Sequence, residues 1–213
     1  IFQILISSLS WLYGIRLDNF ETLLSNNFID LSVFSLLLSF IISVVWLVGI
    51  TNAFNCLDGL DGLAAGVGVL ISLGLLILNL MNGQIIIGLI SISILGICLG
   101  FIPHNSFPAS ILMGDGGSYF LGSNLGLLAL LTYSNTNLEN PHIIILALFL
   151  FPILDMTFVI FSRLINKRSP FYPDKSHFHH KLLNNGFVHK SAVFQIYLIN
   201  LFFLALSLYF SKL

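Results

Sequence analysis

Long, uninterrupted apolar runs constrain this chain more than any other feature. A segment of about 20 apolar residues crosses a hydrocarbon core of about 30 Å as a helix, which satisfies its own backbone polar groups where water is absent. Runs of that kind recur near residues 31–50, 63–80, 85–103, 117–134, 143–162 and 191–211, and residues 1–15 read as the end of a further, partial span. Only 8% of the 213 residues are charged, against about 25% in an average soluble domain. So few charges cannot solvate a globule of this size. The expected fold is therefore an all-α integral membrane protein, a polytopic bundle of six full spans plus the partial one, in a single domain over 1–213.

Composition excludes other classes. Cys56 and Cys98 are the only cysteines and lie in or beside apolar stretches, so no disulfide scaffold is expected. A net charge of −1 offers no basic field to nucleic acid. The chain opens on Ile1 with no basic segment ahead of an apolar core, so no signal peptide is read and a piece of a longer product is expected.

Orientation follows from the basic residues. Six of the eight Lys and Arg fall between two spans, namely Arg163, Lys167, Arg168, Lys175, Lys181 and Lys190. Such an excess marks the cytoplasmic side. Counting spans back from there puts the loops 51–62 and 104–116 on the same face, and the connectors 16–30, 81–84 and 135–142 on the other. All three polar loops are expected to share one face of the bilayer.

Each loop carries its own chemistry. NAFNCLDGLDGLAAG, residues 52–66, holds Asp58 and Asp61 at a spacing of three, with Asn52 and Asn55 before them. On a helix that spacing puts both carboxylates on one face, where their repulsion calls for a cation such as Mg²⁺. Capping of the next helix by Asp and Gly is the plainer alternative. In the second loop, Asp115 sits among glycines where a span begins, suited to a metal and a phosphate at a helix N-terminus, or to a simple capped turn. The third loop gathers His177, His179 and His180 among Lys175, Lys181 and Arg163. That combination favours an anionic phosphate or proton transfer over zinc, and a basic loop touching lipid headgroups remains open. Asp155, inside an apolar span after Pro152, is either functional or a partner for backbone groups freed by the proline. His142 and His189 read as bystanders.

Together, NAFNCLDGLDGLAAG at 52–66, PHNSFPASILMGDGGSYFLG at 103–122 and PDKSHFHHKLLNNGF at 173–187 resemble the polyprenyl-phosphate N-acetylhexosamine-1-phosphate transferases, of the WecA and TagO type rather than the MraY type. The resemblance runs through essentially the whole chain. It implies transfer of N-acetylhexosamine 1-phosphate, with GlcNAc as the default sugar, from a UDP-N-acetylhexosamine to undecaprenyl phosphate, with release of UMP. This would be the first membrane step of a cell-surface glycan in a bacterial inner membrane, with the site facing the cytoplasm. It further implies Mg²⁺ or Mn²⁺ on Asp115, catalysis and nucleotide-sugar binding by Asp58 and Asp61, nucleotide contact by Asn105 and phosphate binding by His177, His179 and His180. A homodimer is compatible with this reading. The family also carries an adjacent Asp pair upstream, which this chain starts too late to contain and which Asp18, on the other face, does not replace. The 213 residues need not be active alone. Leu112 stands where many members carry Phe.

Two other classes make different demands on the sequence. A transporter would use Asp155 as a midplane site and spread polar residues through the depth of several spans. An intramembrane metallohydrolase would want a paired helical motif such as H-E-x-x-H, which is absent.

Overall fold

The computed structural model describes residues 2–17, 31–136, 138–167, 169 and 177–212, and the regular elements among them are all helices. In chain order these are α1 (Phe2–Leu12), α2 (Leu31–Leu57), α3 (Leu63–Met81), α4 (Ile85–Asn105), α5 (Gly114–Asn135), α6 (Pro141–Leu148), α7 (Leu150–Ile165), α8 (Phe178–Asn184) and α9 (His189–Phe210). The all-helical membrane architecture is the expected one.

Helix α3 is the centre of the bundle. Of its most apolar stretch 72% is buried, against 28% in each of α2, α4 and α9. It packs on α4, α5 and α9, while α2 packs on α5, α1 and α7. In lipid, close approach replaces the hydrophobic driving force between helices, and small residues permit it. At Gly122 a Cβ would lie 2.9 Å from Thr51 Cα and 3.0 Å from Ile50 O, so α5 meets the backbone of α2 directly. Trp46 Nε1 donates to Gly126 O at 3.1 Å across the same seam. Buried hydroxyls mostly return to their own helices, as Ser72 does to Gly68 O and Ser91 to Ile87 O. Asn79 Nδ2 ties α3 to α5 by donating to Thr132 Oγ1 at 2.8 Å. The outer faces carry exposed Leu36, Leu37 and Ile41 on α2, Ile86, Leu89 and Ile97 on α4, and Phe194, Leu201 and Phe202 on α9. An apolar belt of that extent belongs in hydrocarbon.

The spans differ in number and detail from expectation. Among the described residues four helices are long and apolar enough to cross a membrane, within α2 and as α3, α4 and α9, and five if α6 and α7 count as one. Helix α5 has 22 residues, but its opening turns are polar. The span expected at 143–162 is broken, with α6 and α7 meeting at 71°. Pro152 explains the break, because it offers no N–H to Leu148 O and its ring crowds that carbonyl. Helix α2 also continues to Leu57, so Asn52 and Asn55 lie on a helix and not in a loop.

The junctions between helices divide between the two ends of the bundle. At one end Gln84 Nε2 donates to Asn135 O and Ser134 Oγ to Arg16 O. The junctions α2–α3 and α4–α5, together with the His segment, meet at the other.

Candidate active site at the α2–α3 junction

Residues 55–62 are the hub on which the other two polar segments converge. Near the end of α2, Asn55 Nδ2 donates to Asp115 Oδ1 and to Ser118 Oγ, each at 3.0 Å, and so fastens the start of α5 to α2. Asp58 follows directly and accepts a hydrogen bond from the Gly114 amide. Gly62 turns the chain into α3 with φ of 81°, the left-handed region that a side chain resists. Its N–H donates to Asn105 Oδ1 at 3.1 Å, and its carbonyl accepts from Tyr197 of α9 at 2.6 Å. Asp61 Oδ2 accepts from the Ala109 amide at 3.0 Å. One turn of eight residues thus holds α2, α3, α5, α9 and the α4–α5 connector together.

The acids repel one another. Burial pushes the Asp58 carboxyl above its usual range; the Gly114 amide pulls it back, and the charges of Asp115 and Asp61 push it up again. Among the described residues no three His, Cys, Asp or Glu converge tightly enough to hold a metal alone. The mutual repulsion nevertheless suits a divalent cation that draws its remaining oxygens from a phosphate and water. Asp115 is the residue that could hold it, since Asn55 fixes one carboxylate oxygen and leaves the group at the junction.

The His segment docks on the same hub from the far side. His177 Nδ1 lies 2.9 Å from Asp155 Oδ2, and the Phe178 amide donates to Asp155 Oδ1 at 2.7 Å. Burial pulls the His177 pKa down, but hydrogen bonds to Asp155 and to the Cys56 side chain outweigh it and raise it to about 9. His179 behaves oppositely. Burial, followed by the neighbouring His180, lowers it to about 4, and neither ring nitrogen has a hydrogen-bond partner among the described residues. At neutral pH the segment therefore presents one imidazolium and one neutral imidazole, stacked 5.7 Å apart and nearly parallel. His179 presses on the hub, since a Cβ on Gly59 would come 2.5 Å from its Nε2.

The remaining candidates fall in different places. Asn52 Nδ2 points away to Gln3 Oε1 of α1 at 2.9 Å. Asn105 is buried, and its Nδ2 donates to Ile111 O at 3.0 Å, so it shapes the junction through backbone groups at both ends of its amide. His180 packs its ring on His179 at 4.3 Å. Arg163 sits in the last turn of α7 and is already engaged. Lys175, Arg168 and Asp18 lie outside the described residues. Leu112 is exposed. Asp155 is no open midplane site, nor does it serve the proline kink; it holds the His segment.

The sequence reads His189 as a bystander and gives Tyr197, Cys56 and Ser118 no role in a site. His189 Nε2 lies 3.4 Å from Asp61 O, and its ring stacks on Phe107 with centroids 4.4 Å apart. Both line a cleft of about 290 Å³ beside Asp61, together with Ser106, Lys190 and Tyr197. Position at the entrance of a span was the only signal for His189, and nothing local marks Tyr197.

Comparison with known proteins places the chain among its relatives. The chain is 44% identical over 163 residues to a "Probable undecaprenyl-phosphate N-acetylglucosaminyl 1-phosphate transferase" of Bacillus subtilis, covering 76% of this chain and 45% of that protein. It is 36% identical over 179 residues to a "Decaprenyl-phosphate N-acetylglucosaminephosphotransferase" of Mycolicibacterium smegmatis, covering 75% and 44%. A "Phospho-N-acetylmuramoyl-pentapeptide-transferase" of Prochlorococcus marinus is 48% identical over 109 residues, covering 50% and 29%. The chain spans less than half the length of each of these relatives. The sequence model of glycosyl transferase family 4 matches residues 1–133, well over half of the chain. The chain belongs to glycosyl transferase family 4.

Proposed function

We propose that this chain is the transferase domain of an enzyme that moves N-acetylglucosamine 1-phosphate from UDP-N-acetylglucosamine to undecaprenyl phosphate, releasing UMP, at the cytoplasmic face of a bacterial inner membrane. In the net reaction a bond forms between the sugar-linked phosphorus and an oxygen of the lipid phosphate, the pyrophosphate bond breaks, and UMP leaves. The observation that carries the reading is the convergence of Asp58, Asp61 and Asp115 with the His177 segment on one eight-residue hub at the end of the bundle. Two relatives, named for N-acetylglucosamine phosphate transfer on undecaprenyl and decaprenyl phosphates, support it.

Phosphoryl transfer between two anions is governed by positioning and charge neutralisation. Mg²⁺ or Mn²⁺ on Asp115 would supply a Lewis acid for the phosphate oxygens. Asn55 aims Asp115 by holding one of its oxygens. Asp58 and Asp61 present carboxylates to the nucleotide sugar from the turn at Gly62, while His177 meets Cys56 and His179 meets Gly59 of the same hub. A membrane-surface site suits an acceptor whose phosphate sits at the interface and whose tail stays in hydrocarbon. Release of activated sugar phosphate onto a carrier lipid fits the first membrane step of a surface glycan.

The test uses the complete open reading frame in detergent with Mg²⁺, undecaprenyl phosphate and UDP-N-acetylglucosamine. UMP release should require both substrates, fall on chelation, and drop by about 10²-fold or more in Asp115→Asn. UMP formed without lipid phosphate, or undiminished in that variant, sinks the reading. A parallel arm with UDP-N-acetylmuramoyl-pentapeptide separates the sugar choices.

A further inference from the structure

Asp155 is the acid for which the transferase reading has no use, and the structure gives it a defined partner. A carboxylate within an apolar helix is costly unless it is paired and its lone pairs are filled. Asp155 is 7% exposed. Both of its oxygens are engaged by the His segment, Oδ2 by His177 Nδ1 at 2.9 Å and Oδ1 by the Phe178 amide at 2.7 Å. The second contact caps α8, because Phe178 opens that helix and its N–H has no partner within the helix. The first contact fixes the imidazole, since a proton held on Nδ1 against a carboxylate decides which nitrogen is turned elsewhere. The ring also hydrogen-bonds the side chain of Cys56, one residue after the Asn55 that holds Asp115.

We propose that Asp155 is a positioning residue for phosphoryl transfer, holding His177 as a charged, orientated donor and docking the His segment on residues 55–59. This rests on the transferase reading. The bend at Phe149, three residues before Pro152, sets α7 against α2, so an acid from the interior of a span reaches the level of the site. Through the parallel stack, the orientation of His177 also sets His179 against Gly59. The titratable groups facing His177 are Asp155 from α7, Cys56 from α2 and His179 from α8. Among these only Asp155 supplies a fixed negative charge at hydrogen-bond distance.

The experiment follows His177 in the complete protein by NMR of ¹⁵N-labelled histidine, assigned with His177→Gln, alongside UMP release against pH. In the parent protein His177 should stay protonated until about pH 9. In Asp155→Asn, with burial no longer opposed by the carboxylate, it should titrate at or below the ordinary histidine value of about 6.5. The alkaline limb of kcat/KM should move down with it, with at least about a tenfold loss at pH 8. Asp155→Glu keeps the charge and should restore most of both, which separates loss of charge from misfolding. An unmoved His177 titration in Asp155→Asn overturns the proposal. So does equal loss of activity in the Asn and Glu variants with an unmoved pH profile. The titration reads the clamp even if no UMP is released, an outcome that would remove the transferase reading instead.

Discussion

Two histidines two residues apart have their pKa values shifted in opposite directions, and that difference has a consequence for stability against pH. His177 is raised to about 9 by Asp155 and Cys56 against the pull of burial. Its contribution to holding the folded segment is complete below the unfolded value of about 6.5 and is lost as pH rises through about 9. His179 is lowered to about 4, chiefly by burial. Its contribution is present above about 6.5 and is lost as pH falls toward about 4, because the unfolded segment takes up the proton first. Hydrogen exchange of residues 177–184, corrected for the intrinsic rate, should therefore show greatest protection near pH 6.5 and fall on both sides. Protection that keeps rising to pH 9 would mean that His177 is not held charged. The sequence marked both residues as one His cluster, because spacing cannot tell a ring facing a carboxylate from a ring facing a glycine. It marked Asp155 by its cost in an apolar span, but its partner is 22 residues away.

Among the elements, α2 and α5 form the frame that brings Asn55 to Asp115. Gly122 sits where the two backbones nearly touch, within 3.0 Å of Thr51 Cα and Ile50 O for an added Cβ. Neither atom is the end of a flexible side chain, so Gly122→Ala must push the helices apart. A cost of about 1–3 kcal/mol is expected, read as a lower unfolding temperature in detergent together with a slower rate of the proposed transfer. An unchanged unfolding temperature would show that the seam can yield. The extents of α3, α4 and α9 were readable from hydropathy, since the bilayer acts on each apolar segment separately. The break between α6 and α7 was not, although Pro152 was visible. A proline can kink, end or merely bend a helix, and the surrounding packing decides which.

For the molecule as a whole, the ends of the bundle are chemically unequal, and membrane sidedness can be measured directly. Ser106 and Glu139 are both exposed and lie at opposite ends. With Cys56→Ser and Cys98→Ala as background, an impermeant thiol reagent outside sealed right-side-out vesicles should label Glu139→Cys and spare Ser106→Cys, with the reverse in inverted vesicles. Labelling of both from one side would refute the orientation drawn from the basic residues.

By itself the sequence determined the membrane class, the helical architecture, the gathering of three polar segments at one end and the family. Those follow from quantities that accumulate along the chain: apolar length, charge count, span parity and local motifs. The tertiary structure alone decided that Asn55 holds Asp115, that Asn105 shapes the turn at Gly62, that His189 stands beside Asp61 and that Asp155 clamps His177. Those pairings join residues between 22 and 128 positions apart. The bend at Phe149 brings Asp155 to His177 and the glycine seam at Gly122 brings Asn55 to Asp115, and no local pattern contains that geometry.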